Sequence, residues 1–366
     1  SDGSDGSDGS GNASGLPPLW AADDPKNRPQ GEARWFPFLG LHRLPRMPRD
    51  PVDEKRSISI EGMIRRIRPI GPIRPMKTMP TPVQENVSLK KHTTFQVNAK
   101  ARFWGEFSSP EDLMFYYRDE TWRAVPKRIL GGGSNVLFVK DFPGLVLHPA
   151  IRGIDLVEED SESVSVIVGG GENWDDFVAH AVSMGWHGIE NLSWIPGFVG
   201  TGPVQNIGAY GAEIKDVVEQ VEYWSTTDFG RHLLANQDCR FAYRDSIFKQ
   251  GLKNEAVITR VRFRLSKVPR FNLAYEDLKQ ELSGKGVPTL ATVRDAVIAV
   301  RKRKLPDPAE VGNAGSFFKN PEVTKERLEI LHRRNPSMPV YSAAGGGFKI
   351  PAGWLVEQCG WKGFRQ

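Results

Sequence analysis

The rhythm of apolar and polar positions changes near Val83. Upstream, few apolar residues recur at a helix or strand period. Ser1 to Ser10 repeats Ser-Asp-Gly, and proline falls at every third place in Arg68-Pro69-Ile70-Gly71-Pro72-Ile73-Arg74-Pro75. Proline at that density blocks helix interiors and sheet ladders, and so sparse a pattern buries little core. Residues 1–82 therefore read as a disordered extension. Downstream, strand-like and helix-like segments alternate. Val136-Leu137-Phe138-Val139 and Leu145-Val146-Leu147 are short apolar runs between turn residues, predicting strands. Ser163 to Val168 alternates. Trp174, Phe177, Val178, Ala181 and Val182 recur at helical spacing. Val257, Thr259, Val261, Phe263 and Leu265 share one face of a predicted strand, with Arg260, Arg262 and Arg264 on the other. Val293, Ala296, Val297 and Val300 form a helical stripe ending in Arg301-Lys302-Arg303-Lys304, where cations suit the helix dipole and Pro306 and Pro308 stop the helix. This mixture predicts an α+β protein rather than a regular βαβ array.

Composition narrows the picture. A length of 366 residues allows two or three domains. No apolar run approaches the ~18 residues of a membrane span, and no secretory signal opens the sequence. The 2 cysteines, Cys239 and Cys359, lie far apart without the spacing of a zinc site. A disulfide scaffold is not expected, and a reducing cytoplasm fits. The formal charge is +5, with the basic excess between Arg43 and Lys77. Such a patch attracts nucleic acid, but no aromatic platform or nucleic-acid motif accompanies it. It reads as a solvated basic arm; a segment so broken by proline makes a poor amphipathic transit peptide.

Four segments carry chemistry. Leu130-Gly131-Gly132-Gly133-Ser134-Asn135 offers a nest of backbone N–H groups suited to a pyrophosphate, or else a tight structural turn. It lacks the spacing of a Walker loop or a dinucleotide fingerprint, and a strand is expected to follow it. Ile195 to Gly211 carries glycine every few residues with Thr201, Gln205 and Asn206 among them. A structureless stretch this long in a compact domain is more often a binding loop than a bland connection. In Phe241-Ala242-Tyr243-Arg244-Asp245-Ser246 an arginine sits among aromatic and apolar residues, able to stabilise a developing oxyanion or to pair with Asp245 on the surface. In Gly312 to Pro321, Ser316 follows small residues and can donate a proton to a carbanion-like centre, or cap a turn. No nucleophile elbow surrounds it.

In order and spacing these segments resemble the motifs of the UDP-N-acetylenolpyruvoylglucosamine reductases. Gln205 to Gly211, Tyr243 to Lys249, Lys304-Leu305-Pro306-Asp307-Pro308, Gly312 to Pro321 and Ala352 to Cys359 are particularly close. The likeness runs from about Asn86 to the end. It implies an FAD-binding α+β domain of the PCMH/vanillyl-alcohol-oxidase type over 83–268 and an α/β substrate-binding domain over 269–366. It also implies NADPH as co-substrate and reduction of UDP-N-acetylglucosamine enolpyruvate to UDP-N-acetylmuramate.

By motif match, Arg244 and Ser316 are the catalytic pair. Gly131, Gly132, Gly133, Ser134, Asn135, Pro196, Gly197, Thr201, Gly202, Gln205, Asn206, Gly208 and Ala209 would hold FAD. Tyr275, characteristic of one subtype, Lys304 and Asn320 would contact the substrate. No metal is implied. The expected partner is the nucleotide-sugar, for a cytoplasmic monomer that engages neither nucleic acid nor membrane.

Two departures from the family follow. The extension before Val83 has no counterpart. The family also continues past the Trp354–Cys359 motif to a catalytic glutamate, so the second domain is expected to be incomplete, and Glu357 is no substitute. Two alternatives therefore stand beside the reductase: an impaired flavin- or nucleotide-sugar-binding fragment, and a related flavin oxidase.

Overall fold

The computed structural model describes residues 81–343 and 346–363. The extension read from the sequence thus lies outside the described residues up to position 80, as does the extreme C-terminus beyond Gly363.

The first layer is a four-stranded sheet from β1 (Gln84–Ser88), β2 (Lys100–Phe107), β3 (Lys127–Ile129) and β4 (Phe142–Pro149), in the order β1-β2-β4-β3. β4 runs parallel to both neighbours. Helix α1 (Pro110–Arg118) makes the crossover that parallel pairing requires. Its start is fixed by a capping box, Ser109 accepting from the Asp112 amide and Asp112 accepting in return, with Pro110 in the first turn. Leu113 and Tyr116 bury its inner face against Phe107, Leu145 and Leu147.

The second layer is an antiparallel five-stranded sheet. β5 (Ile154–Glu159) and β6 (Ser163–Gly169) form one edge. After helix α2 (Trp174–Ser183) and the short pair β7 (Gly208–Ala209) and β8 (Ala212–Glu213), the sheet is completed by β9 (Val218–Ser225), β10 (Arg231–Ala235) and β11 (Ala256–Ser266), giving the order β10-β9-β11-β6-β5. Asn173 caps α2 through the amides of Asp175 and Asp176, and the predicted stripe buries Trp174, Phe177, Val178 and Ala181. Valines of β6 and Val261, Phe263 and Leu265 of β11 complete that core. The opposite face of β11 is ionic, as its alternation predicts: Arg262 reaches Glu219 at 2.8 Å and Arg264 reaches Asp160 at 3.5 Å. Val257 and Trp224 extend from this sheet into the α1 core, joining the two layers.

Helices α3 (Glu276–Leu282) and α4 (Leu290–Lys304) pack through Leu278, Val293, Ala296 and Val297. Beyond them lie β12 (Glu322–Val323), α5 (Lys325–Arg334), β13 (Tyr341–Ser342), β14 (Phe348–Lys349) and α6 (Ala352–Gln358), with the three strands in the order β12-β14-β13.

One predicted strand does not form. Val136 to Val139 is irregular, with Leu137 53% and Val139 85% exposed. Both edges of β4 are already occupied by β2 and β3, so this run cannot pair with the strand that follows it. Val136 and Phe138 instead cap the cluster of Leu89, Trp104, Leu130 and Val146.

Candidate active site

Two glycine loops meet backbone to backbone. A β-carbon on Gly132 would lie 2.7 Å from the Gly197 Cα, and one on Gly131 would lie 2.6 Å from the Thr201 Cγ2. Gly133 has φ +62°, and a β-carbon there would fall 2.1 Å from the His92 carbonyl oxygen. These glycines let the two loops approach each other, a role that reading them against a ligand alone does not supply. Asn135 Nδ2 donates to Gln205 Oε1 at 3.0 Å across the loops. Thr201 Oγ1 donates to the Phe198 carbonyl at 2.7 Å.

Between the loops lies a cavity of ≈ 300 Å³. Gly131, Gly132, Gly133, Ser134, Asn135, Pro196, Gly197, Thr201, Gly202 and Gln205 all line it. Apolar walls come from Trp174, Phe198, Val257 and Ile258. Main-chain donors beside flat apolar surface suit a dinucleotide, whose phosphates want amides and whose rings want packing.

Behind the first loop stands a row of tilted and edge-on rings. His92 and Trp104 have centroids 4.0 Å apart, Trp104 and His148 5.1 Å, and His148 and Phe198 5.2 Å. His148 Nδ1 donates to the Leu130 carbonyl at 2.9 Å. Burial holds both imidazoles below their ordinary range, and for His92 the neighbouring His148 adds to the effect.

A larger cavity of ≈ 690 Å³ shares Ser134, Asn135, Pro196, Gln205, Ile207 and Lys249 with the first. It collects Arg244, Ser316 and Asn320, and it adds Gly208. Arg244 sits at the tip of a tight turn in which Ala242 and Asp245 exchange backbone hydrogen bonds of 3.0 and 3.1 Å. Its φ of 55° is left-handed, a conformation that costs a branched-out side chain about 1 kcal/mol and persists only where neighbours hold it. Its guanidinium donates to the carbonyls of Asn206, at 3.4 Å, and Gly208. Lys249 Nζ donates to the Arg244 carbonyl at 3.1 Å, and Lys319 Nζ to that of Tyr243 at 3.3 Å.

Ser316 lies on an exposed loop. Asn313 shapes that loop, accepting from the Gly315 amide at 2.8 Å and donating to the Val311 carbonyl at 2.7 Å.

A second guanidinium faces this cavity. Arg301, read from the sequence as a helix-end cation, donates to the Trp194 carbonyl at 3.1 Å and lines the wall. Burial lowers its pKa; Tyr210 and Asp175 oppose that shift, while Arg244 adds to it. Nearby Asp175 is committed elsewhere, pairing both oxygens with Arg294 at 2.7 and 2.9 Å and accepting from the Trp194 amide at 2.5 Å. Burial alone would raise its pKa, but the bonds from Arg294 and Trp194 outweigh that and hold it low. Arg244, Lys249, Arg301 and Lys319 line the cavity beside Asp175, Asp176 and Asp307, a small excess of positive charge that suits an anionic ligand.

Some expected residues stand apart. Tyr275 precedes α3, with its ring against Tyr210 at 5.3 Å and Tyr341 at 6.5 Å. Lys304 pairs with Asp277. Neither lines the two cavities. Asn206 is fully buried behind the wall, and Ala209, in β7, is likewise outside both linings. Asn320 lines the larger cavity while accepting from the Ala352 amide at 2.9 Å.

The segment His92 to Gln96 escaped the sequence reading. Thr94 donates its amide to the Gly133 carbonyl at 3.2 Å and accepts from the Asn313 amide at 2.8 Å, and Gln96 donates to the Pro308 carbonyl. This strap ties the Gly131–Asn135 loop to the Ser316 loop. The Thr94 hydroxyl is buried with no hydrogen-bond partner among the described residues, at a cost of ~1–3 kcal/mol, and the residue stands in the wall of the larger cavity. Its only sequence signal is a Thr-Thr pair inside a short β-connection. Among the described residues no cluster of His, Cys, Asp or Glu is suited to a metal ion.

A glycine-lined cradle that shares a wall with a cavity holding four cations suits a flavin-type oxidoreductase. In agreement, residues 106–228 match the FAD binding domain family. Residues 307–366 match a second family, the UDP-N-acetylenolpyruvoylglucosamine reductase C-terminal domain. The chain is 45% identical over 290 residues to the reductase of that name from Chromobacterium violaceum, covering 78% of this chain and 85% of that one. It is 46% identical over 279 residues to the one from Paraburkholderia xenovorans, covering 75% and 81%. A solved structure of the Thermus caldophilus reductase is 26% identical, covers 73% of this chain and 87% of that chain, and has a TM-score of 0.49. The chain belongs to the UDP-N-acetylenolpyruvoylglucosamine reductase family.

Proposed function

We propose that this protein reduces the enolpyruvyl ether of UDP-N-acetylglucosamine enolpyruvate to the lactyl ether of UDP-N-acetylmuramate, with FAD as bound cofactor and NADPH as reductant. The observation that carries the reading is the convergence of Arg244 and Ser316 on one cationic cavity that shares a wall with the glycine cradle.

When bound, FAD supplies hydride transfer from NADPH to the enolpyruvyl group. The chain's own residues do the rest. The cradle of Gly131 to Asn135 and Pro196 to Gln205 would hold the dinucleotide through main-chain amides. Adding hydride to an alkene conjugated with a carboxylate builds enolate charge on that carboxylate. The guanidinium of Arg244, locked by two carbonyls, is a preorganised donor for that charge, so little reorganisation is needed as it develops. Ser316 would give its proton to the adjacent carbon, completing addition of one hydride and one proton across the double bond. Serine is a weak acid, and the surrounding cations Arg244, Lys249, Arg301 and Lys319 lower the cost of the alkoxide left behind. The same charge suits the diphosphate of a nucleotide-sugar and the phosphates of NADPH. Asn320 would contact the sugar-nucleotide from the cavity wall, with Tyr275 and Lys304 approaching from the α3–α4 side.

This reading makes the protein a cytoplasmic monomer of peptidoglycan precursor synthesis, contributing to wall building and hence to cell shape and division. Among the described residues, no helix is long and apolar enough to cross a membrane. Purified protein should be yellow and should oxidise NADPH steadily only when the enolpyruvyl nucleotide-sugar is added. Flavin binding without product release as UDP-N-acetylmuramate would sink the catalytic assignment and leave a binding protein.

A further inference from the structure

Asn206 lies within the second glycine loop, in a stretch whose motif suggests cofactor contact. The side chain does something else. It is 0% exposed, its backbone is left-handed at φ 46°, and every polar capacity is spent inside the protein. Nδ2 donates to the Ala242 carbonyl at 3.0 Å and to Glu213 Oε2 at 2.9 Å. Oδ1 accepts from the Lys215 amide at 3.2 Å. Its own carbonyl accepts from the Arg244 guanidinium at 3.4 Å.

Ala242 opens the tight turn that carries Arg244. The turn is thus latched at its first residue by the Asn206 side chain and at its guanidinium by the Asn206 main chain. Ser246 Oγ adds a third latch, donating to the Val204 carbonyl at 2.7 Å. Glu213 Oε2 also pairs with Lys215 Nζ at 2.9 Å, so this one oxygen accepts from both the ammonium and the Asn206 amide.

We propose that Asn206 is a positioning residue for Arg244: it fixes the left-handed turn so that the guanidinium meets the charge developing in the oxidative half-reaction, and it does not hold the flavin. The proposal rests on the reading of Arg244 as the charge-stabilising group. Asparagine suits the post because it tolerates left-handed backbone and carries two donors and an acceptor on one short stem. Aspartate there would keep the shape, lose both donors and face Glu213 with like charge. Glycine would keep the backbone conformation and lose the side chain.

The test uses the flavoprotein in five forms: wild type, Asn206→Asp, Asn206→Gly, Arg244→Lys and the double variant Asn206→Asp/Arg244→Lys. FAD affinity, flavin reduction by NADPH and flavin reoxidation by the enolpyruvyl nucleotide-sugar are measured separately. Displacing a reacting group by ~1 Å costs about 10²-fold, so both Asn206 variants should reoxidise ~10–100-fold more slowly. Their FAD affinity and NADPH half-reaction should stay within about twofold of wild type, as expected when only a transition-state contact is lost. In an Arg244→Lys background, Asn206→Asp should add little, because residues acting as one unit are non-additive. Weakened FAD binding, or failure of both variants to retain flavin, overturns the proposal, as does full additivity with Arg244→Lys. If Arg244→Lys alone leaves reoxidation unchanged, the reading of Arg244 fails; if it slows reoxidation while the Asn206 variants do not, only the positioning role fails.

Discussion

The two cavities share a wall but are made of different material. The cradle is main chain: its glycines bring two loops into contact so close that a single added methyl would strike backbone. The larger cavity is side chain: its cations come from a turn tip, the end of α4 and the loop carrying Ser316 and Lys319. A site defined by closeness fails when atoms are added. A site defined by charge fails when atoms are taken away, and its fold survives the loss.

Substitutions can break or sharpen that contrast. Ser316→Ala should have the largest effect, slowing flavin reoxidation by the enolpyruvyl substrate ~10²–10⁴-fold, the usual worth of a general acid. Reduction by NADPH and FAD content should be unchanged in stopped-flow traces and spectra; equal loss of both half-reactions would contradict the proton-donor role. Arg244→Ala should cost reoxidation ~10²–10³-fold, again with the flavin retained. Gly132→Ala should show the opposite signature. Overpacking against Gly197 costs ~1–3 kcal/mol of folding stability, and the displaced loop should bind FAD more weakly, while turnover of protein saturated with FAD stays near wild type. A Gly132→Ala enzyme with normal FAD affinity would erase the distinction between the two cavities.

Asp175→Asn tests the wall itself. It would leave the Arg294 guanidinium, whose side chain is only 15% exposed, without its carboxylate. After discounting for partial solvent access, ~1–3 kcal/mol of stability should be lost in chemical denaturation.

The smallest expected effect is a pH dependence behind the cradle. His92 and His148 have folded pKa values below the ordinary 6.5. The unfolded chain therefore binds protons first as the pH falls through about 6.5, so the melting temperature should decline below that value and hold above it. His148→Gln, which can still donate to the Leu130 carbonyl, should make that decline shallower; an identical slope would show that His148 does not contribute.

Strongly periodic elements were legible in the sequence. The stripes of α2 and α4 and the alternation of β11 appear where they were read, because one buried face over several turns or pleats leaves few alternatives. The apolar run after Asn135 forms no strand: its successor β4 is already paired on both sides, and Val136 and Phe138 are spent on a side-chain cluster instead. Arg244 and Ser316, singled out by ordered motifs, both line the larger cavity. Arg301 was seen only as a dipole-compensating cation, because helix register relative to a distant loop is a tertiary fact. That the Asn206 side chain turns inward is not legible, because a glycine-rich loop does not reveal which of its side chains do so. Thr94 was passed over because a threonine pair in a connection carries no pattern.

The strap from His92 to Gln96 also constrains how the protein assembles. Gln96 and its partner Pro308 are 212 residues apart, and Thr94 joins the Gly133 and Asn313 loops in the same way. Contacts of such long range form late, after loop closure has been completed. Refolding chains should therefore recover their far-ultraviolet signal before they quench added flavin, and the yellow colour would mark the last cooperative step rather than the first.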